Sequence, residues 1–175
     1  MVKRMFAGIL AMFLFSCGAM AQGPGALEGD KDVSFAMKFW PVLENAKLVG
    51  KNRIHSQPSK AILPVGGIRQ IIGTDVKVDG RTARVLVKIN YEGEGISVES
   101  VYDNPNKYLV GYTVMFKRED GYDDENKNWF WAKYDTKGEL NMNSQGAKIA
   151  GRAEKLCIAC HTTMGGDDLE VLTQK

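Results

Sequence analysis

Cys157, Cys160 and His161 stand together in the run LCIACHTTMGG, close to the end of a 175-residue chain. Two thiols at this spacing, with an imidazole directly after the second, suit covalent capture of a haem. The sulfurs add to its two vinyl groups, and the imidazole is held beneath the iron. Upstream, Ile149, Ala150, Ala153, Leu156, Cys157 and Cys160 recur at three- and four-residue intervals, which predicts a helix with one apolar face. On such a helix the cysteines lie about a turn apart, and His161 follows four residues after Cys157. The rival uses of the motif fit less well. A structural zinc site needs four ligands, and only His55 could join these three. A thiol-redox pair belongs at a strand-to-helix turn early in a thioredoxin-like pattern, which this chain lacks. A disulfide between the two is the remaining possibility for an exported protein.

Export itself is read from the first residues, MVKRMFAGILAMFLFSCGAMAQ. Lys3 and Arg4 give a positive start, Phe6 to Phe15 form an apolar run too short to span a bilayer, and Ala19-Met20-Ala21 is a small-x-small cleavage site. Residues 1–21 are therefore expected to be a signal peptide, 22–31 a flexible lead-in, and 32–175 a single domain; the location is periplasmic. Lipid attachment at Cys17 is the weaker reading, because Phe15 is bulky for a lipoprotein box. Cleavage leaves Cys157 and Cys160 as the cysteines of the mature chain. It also removes Lys3 and Arg4 from 23 basic residues, which balances the 21 acidic ones. No basic stripe with interleaved aromatics points to nucleic acid, and no second apolar stretch points to a membrane span.

The elements that must position the motif read mainly as β. DVSFAMKFWPVLENAKL predicts a helix with Asp32 as N-cap and Phe35, Phe39 and Leu43 on one side, kinked or restarted at Pro41. LVGKNRIHSQPSK reads as loop. GIRQIIG, TARVLVKIN, GISVESVY, KYLVGYTVMFK and NWFWAKYD are five candidate strands, separated by turn residues such as Asp79-Gly80 and Lys137-Gly138. Ala83, Val85, Val87 and Ile89 alternate with Arg84 and Lys88, as in a half-buried strand. The expected fold is mainly β (α+β): an antiparallel sheet of about five strands with an N-terminal helix and a C-terminal helix carrying the motif.

This background differs from that of a small helical cytochrome c, whose attachment site lies near its start and whose methionine ligand lies well downstream. Here only a short tail follows His161, and Met164 is too near the proximal side to cross to the other haem face. Met115 and Met142 sit in no recognisable ligand motif, so an open or weakly held sixth position is favoured.

The runs GYTVMFKREDGYDDENKNWFWAKYDTKGEL, AGRAEKLCIACH and GGDDLEVLT, with IRQIIGTDV more weakly, resemble the cytochrome P-460 family and its relatives the cytochromes c-prime-beta. The resemblance covers most of the mature chain. It implies a mostly antiparallel β fold in a homodimer, one covalently attached haem c, a proximal histidine (His161) and a vacant distal site. Members either oxidise hydroxylamine or bind nitric oxide and carbon monoxide, and the oxidising ones carry an extra covalent link from a lysine to the haem. Many members have Val-Lys-Glu where this chain has Val98-Glu99-Ser100. If that lysine is the linking one, Glu99 stands in its place; the alternative is Lys88 on a neighbouring strand, read here as solvent-facing.

Three functions stay open: a haem protein binding nitric oxide or a related small nitrogen ligand, a hydroxylamine-oxidising enzyme with Glu99 as proton acceptor, and a six-coordinate electron carrier. A periplasmic redox partner is expected for the enzyme. Trp129, Phe130 and Trp131 could wall the haem, of which one or two would touch it. Arg69 and Arg84 could pair with its propionates, and His55 could be a second axial ligand, although it reads as an exposed loop residue.

Overall fold

A computed structural model describes residues 30–60, 67–152 and 155–171. The leader and most of the lead-in lie outside these residues. Six antiparallel strands form one sheet in sequence order: β1 (Ser59–Lys60), β2 (Ile68–Val78), β3 (Arg81–Tyr91), β4 (Leu109–Lys117), β5 (Trp129–Tyr134) and β6 (Ala150–Gly151). Helix α1 (Asp30–Asn45) precedes the sheet, the short α2 (Val98–Asp103) and α3 (Pro105–Tyr108) bridge β3 to β4, and α4 (Lys155–Met164) follows it. The expected mainly antiparallel α+β fold with helices at both ends is the fold observed. Among the described residues no helix is long and apolar enough to cross a membrane.

The β2–β3 hairpin turns at Asp79-Gly80, where both residues have positive φ, 48° and 83°. That is the backbone which matches the twist of paired strands and which Asp-Gly tolerates. Side-chain alternation then splits the sheet into two unlike faces. Val85, Val87, Ile89 and Tyr91 of β3, Tyr112, Val114 and Phe116 of β4, and Phe130, Ala132 and Tyr134 of β5 join the main core with Ala36, Phe39, Trp40 and Leu43 of α1. Phe39 packs on Phe116 at 4.7 Å, and the Tyr134 hydroxyl donates to the Ala36 carbonyl at 2.9 Å.

Several local expectations are corrected. The helix α1 starts before Asp32, so Asp32 does not cap it; its carboxylate accepts from the Tyr122 hydroxyl at 3.1 Å. Pro41 lies inside α1 and neither ends nor restarts it, since Phe39, Trp40 and Leu43 on either side are seated in the core. GISVESVY is not a strand. Ser97 caps α2, accepting from the Ser100 amide while the Ser100 side chain accepts from the Ser97 amide, and this box overrides the β-branched composition. The loop-like stretch after α1 ends in the two-residue edge strand β1. Ile149 and Ala150 do not belong to the motif's helix, since Ala150 pairs with Ala132 in β6; α4 spans Lys155–Met164, and Ala153 lies outside the described residues.

Candidate functional site

The second face of the sheet carries the motif. Leu86 of β3, Met115 of β4 and Trp131 of β5 lie in one cross-strand row, with Trp129 beside them. Together with Leu169 they form a separate apolar cluster, on which Cys157 and Ile158 of α4 pack. The motif's helix therefore rests on the side of the sheet away from α1. Cys157 and Cys160 are not joined in a disulfide.

His161 is held by two contacts. Its ring meets the Trp131 ring edge-on, with centroids 4.7 Å apart, and its Nδ1 is 2.7 Å from the Leu169 carbonyl oxygen. A carbonyl only accepts, so Nδ1 carries the proton and Nε2 keeps its lone pair. Burial pulls the His161 pKa below the ordinary value, the Leu169 contact opposes this, and the Lys88 charge lowers it further. The imidazole is thus neutral near pH 7, the state in which Nε2 can bind a metal.

The residues after the motif create this arrangement. Gly165 donates its amide to the His161 carbonyl at 2.7 Å, the chain reverses through a 3-10 turn at Gly166–Asp168, and Leu169 adopts positive φ. A Cβ on Gly165 would fall 2.4 Å from the Leu169 carbonyl carbon and 2.6 Å from its oxygen. Only glycine allows the returning chain so close. The segment is then fastened to the sheet. Arg84 makes a two-pronged ion pair with Glu170, Lys117 reaches Asp168 at 2.5 Å, and the Trp129 indole donates to the Asp168 carbonyl at 2.8 Å. None of these partners of the tail was foreseen; the GG pair after the motif was the available signal for the reversal.

Lys88 is the main correction. It alternates away from the main core as expected, but the face it occupies is not simply solvent. Lys88 is half-buried, in the row next to Leu86, Met115 and Trp131, and its charge is felt by His161. Its pKa is pushed down first by burial and then by the positive charge of Arg69, and it is raised by Cys157 and Cys160. Alternation gave the side correctly, but could not say that α4 would cover part of it.

Glu99 is not brought to this cluster. It is exposed in the first turn of α2, where its own backbone amide and Ser97 hold its pKa below the usual carboxylate value. His55 is likewise elsewhere engaged: Nε2 lies 2.9 Å from the Tyr102 carbonyl, the ring packs on Tyr102, and the residue is exposed. Of the three aromatics, Trp129 and Trp131 face the α4 side and Phe130 belongs to the main core. Arg84 is committed to Glu170, whereas Arg69 is buried without an ion pair among the described residues. Met115 is buried in the α4-side cluster, Met142 is exposed, and Met164 contacts Cys160 Sγ at 3.8 Å.

Haem c is tested against these residues by the donor set. Among the described residues no three His, Cys, Asp or Glu side chains gather around one point as ligands of an ion. The two thiols and Nε2 are separate arms on one helix, which suits an extended macrocycle gripped at its edge and at its centre. The indole N–H of Trp131, beside His161, is buried with no hydrogen-bond partner. The donor set and this unanswered N–H fit a haem. Compared with protein-family models, curated proteins and solved structures, the chain matches none.

Proposed function

We propose that this protein is an exported mono-haem c-type cytochrome, with haem joined through Cys157 and Cys160 and His161 as its proximal ligand, that binds nitric oxide or a related small nitrogen ligand. The observation that carries the reading is the hydrogen bond from His161 Nδ1 to the Leu169 carbonyl, 2.7 Å long, which fixes the tautomer and leaves Nε2 as donor beside two cysteines outside any disulfide. When bound, the haem supplies an iron with one position left for a small ligand. The chain's own part is to hold the imidazole. Leu169 and Trp131 fix its orientation, the Leu86–Met115–Trp129 cluster keeps water from that side, and the ion pairs of Glu170 and Asp168 anchor the segment that supplies the carbonyl.

An open sixth position is supported by the engagement of His55 with Tyr102 and by the exposure of Met142. Ferrous protein is expected to take up carbon monoxide with a large spectral change; a low-spin ferrous spectrum that carbon monoxide leaves unchanged would favour the electron carrier. Periplasmic location rests on the leader, and homodimer formation rests on the resemblance to the cytochrome P-460 family.

A second reading, hydroxylamine oxidation by a lysine-linked haem with an external redox partner, gains from one specific observation: Lys88 lies on the same face as the motif, close enough for its charge to act on His161. Glu99, exposed on α2, gives it no proton acceptor at the motif. Proteolysis and mass spectrometry of the haem peptide separate the two readings. A single peptide with Cys157, Cys160 and haem supports the binder, and a second peptide containing Lys88 on the same haem supports the enzyme.

A further inference from the structure

Among the described residues, two buried side-chain nitrogens have no hydrogen-bond partner: Trp131 Nε1 and Arg69 Nε. Trp131 touches His161. Arg69 is 6% exposed, and its Nη1 donates to the Ile68 carbonyl at 2.9 Å and, at 3.5 Å, to that of Tyr91. A guanidinium is always charged, and burying one with an N–H unanswered is costly. The fold nevertheless makes room for it: a Cβ on Gly67 would lie 2.7 Å from Arg69 Nη1.

The surroundings deepen the imbalance. Arg69 is paired across the sheet with Asn90, Ile71 with Lys88, Lys88 with Thr113, and Thr113 with Lys133. By strand alternation Arg69, Lys88 and Lys133 share the face on which α4 lies. Lys88 feels the charges of Arg69 and Lys133 as well as those of Cys157 and Cys160. Among the described residues none of the three cations is ion-paired. Glu92 acts on Arg69 only through space. Arg84, the other arginine on this face, already has its carboxylate in Glu170.

We infer that Arg69, assisted by Lys88 and Lys133, is an anion seat on the α4 side of the sheet that holds a carboxylate of the haem gripped by Cys157, Cys160 and His161. The inference rests on the haem reading above. A free oxyanion such as nitrite would share the chemistry, but the two unanswered donors stand on β2 and β5, three strands apart across the sheet and four residues apart in register. A small anion meets one of them at most, whereas a haem carries two carboxylates at a distance from its iron and would bring them to this face from the motif's helix.

The test uses full-length holoprotein and its R69Q, R69K and K133Q variants. Retention of haem through acid-acetone extraction is scored first, and its loss from the wild type overturns the haem reading and this seat together. With haem retained, the propionate bending band in the resonance Raman spectrum is expected to shift in R69Q, to shift less in R69K, which keeps charge but not the planar fork, and to shift least in K133Q, whose side chain is exposed. Circular dichroism separates misfolded variants from folded ones, and K133Q, with its exposed side chain, keeps the comparison alive if R69Q does not fold. An identical band in wild type and all folded variants overturns the Arg69 assignment and leaves the haem reading standing. Spectral changes with added nitrite that depend on Arg69 overturn it as well, in favour of a free anion.

Discussion

The two faces of this sheet do different work. Toward α1 the side chains are large, apolar and mutually satisfied: Phe39, Phe116, Phe130, Tyr112 and Tyr134 interlock, and the Tyr134 hydroxyl finds a carbonyl. Toward α4 the apolar cluster is small, and among the described residues there stand on that side two thiols, an imidazole, three cations without an ion pair and two unanswered N–H groups. A face that is complete needs no further group. In the haem reading proposed above, the incomplete one is where the cofactor would add what the chain lacks, which would separate stability from function across a single layer of strands.

The largest effect that would sharpen this contrast is all-or-none. Replacing both Cys157 and Cys160 by alanine should abolish acid-stable pigment while leaving the α1 side, and hence the strand content seen by circular dichroism, in place. Loss of the fold would show that the two faces are not independent. Next comes the opposite change, Phe39→Ala, which empties a fully buried site between α1 and the sheet. It should cost about 3–5 kcal/mol in denaturant unfolding, with the motif chemically intact in the protein that remains folded.

Gly165→Ala should have an intermediate effect of about 1–3 kcal/mol, because its methyl group collides with the Leu169 carbonyl that orients His161. Its more telling readout is hydrogen exchange at His161 Nδ1, which should become fast as the acceptor is displaced. Unchanged protection would mean that the tail does not hold the imidazole.

The smallest effect concerns the rim. Arg118 pulls the Glu119 carboxyl down to about 2, below its unfolded value of roughly 4.3. A depressed folded-state pKa gives stability that is present above about pH 5 and is lost as the pH falls toward 2. The Glu119 side chain is exposed to solvent, so Glu119→Gln should remove no more than about 1 kcal/mol of that acid-sensitive stability, measured as the difference in unfolding free energy between pH 6 and pH 3.

Much of this division was legible in the sequence, for reasons that differ by element. Val85, Val87 and Ile89 alternate because one side of β3 is buried in oil-like surroundings, and Asp79-Gly80 marks the hairpin because few other pairs accept that turn. The motif announced itself by spacing alone. What escaped was set by tertiary or backbone contacts. Val98 and Val101 suggest a strand, but the hydrogen bonds between Ser97 and Ser100 decide the local structure. The partner of His161 is a backbone carbonyl, which has no residue signature. Lys88 shows a strand period in either environment, and only the path of α4 distinguishes solvent from site.

The central claim is tested most directly by the mass of the purified protein after denaturation and acid-acetone extraction. Chain plus one haem, with Cys157 and Cys160 unreactive toward thiol reagents, is the predicted result. A mass equal to the chain alone, with the two cysteines as reactive thiols or a disulfide, would contradict it.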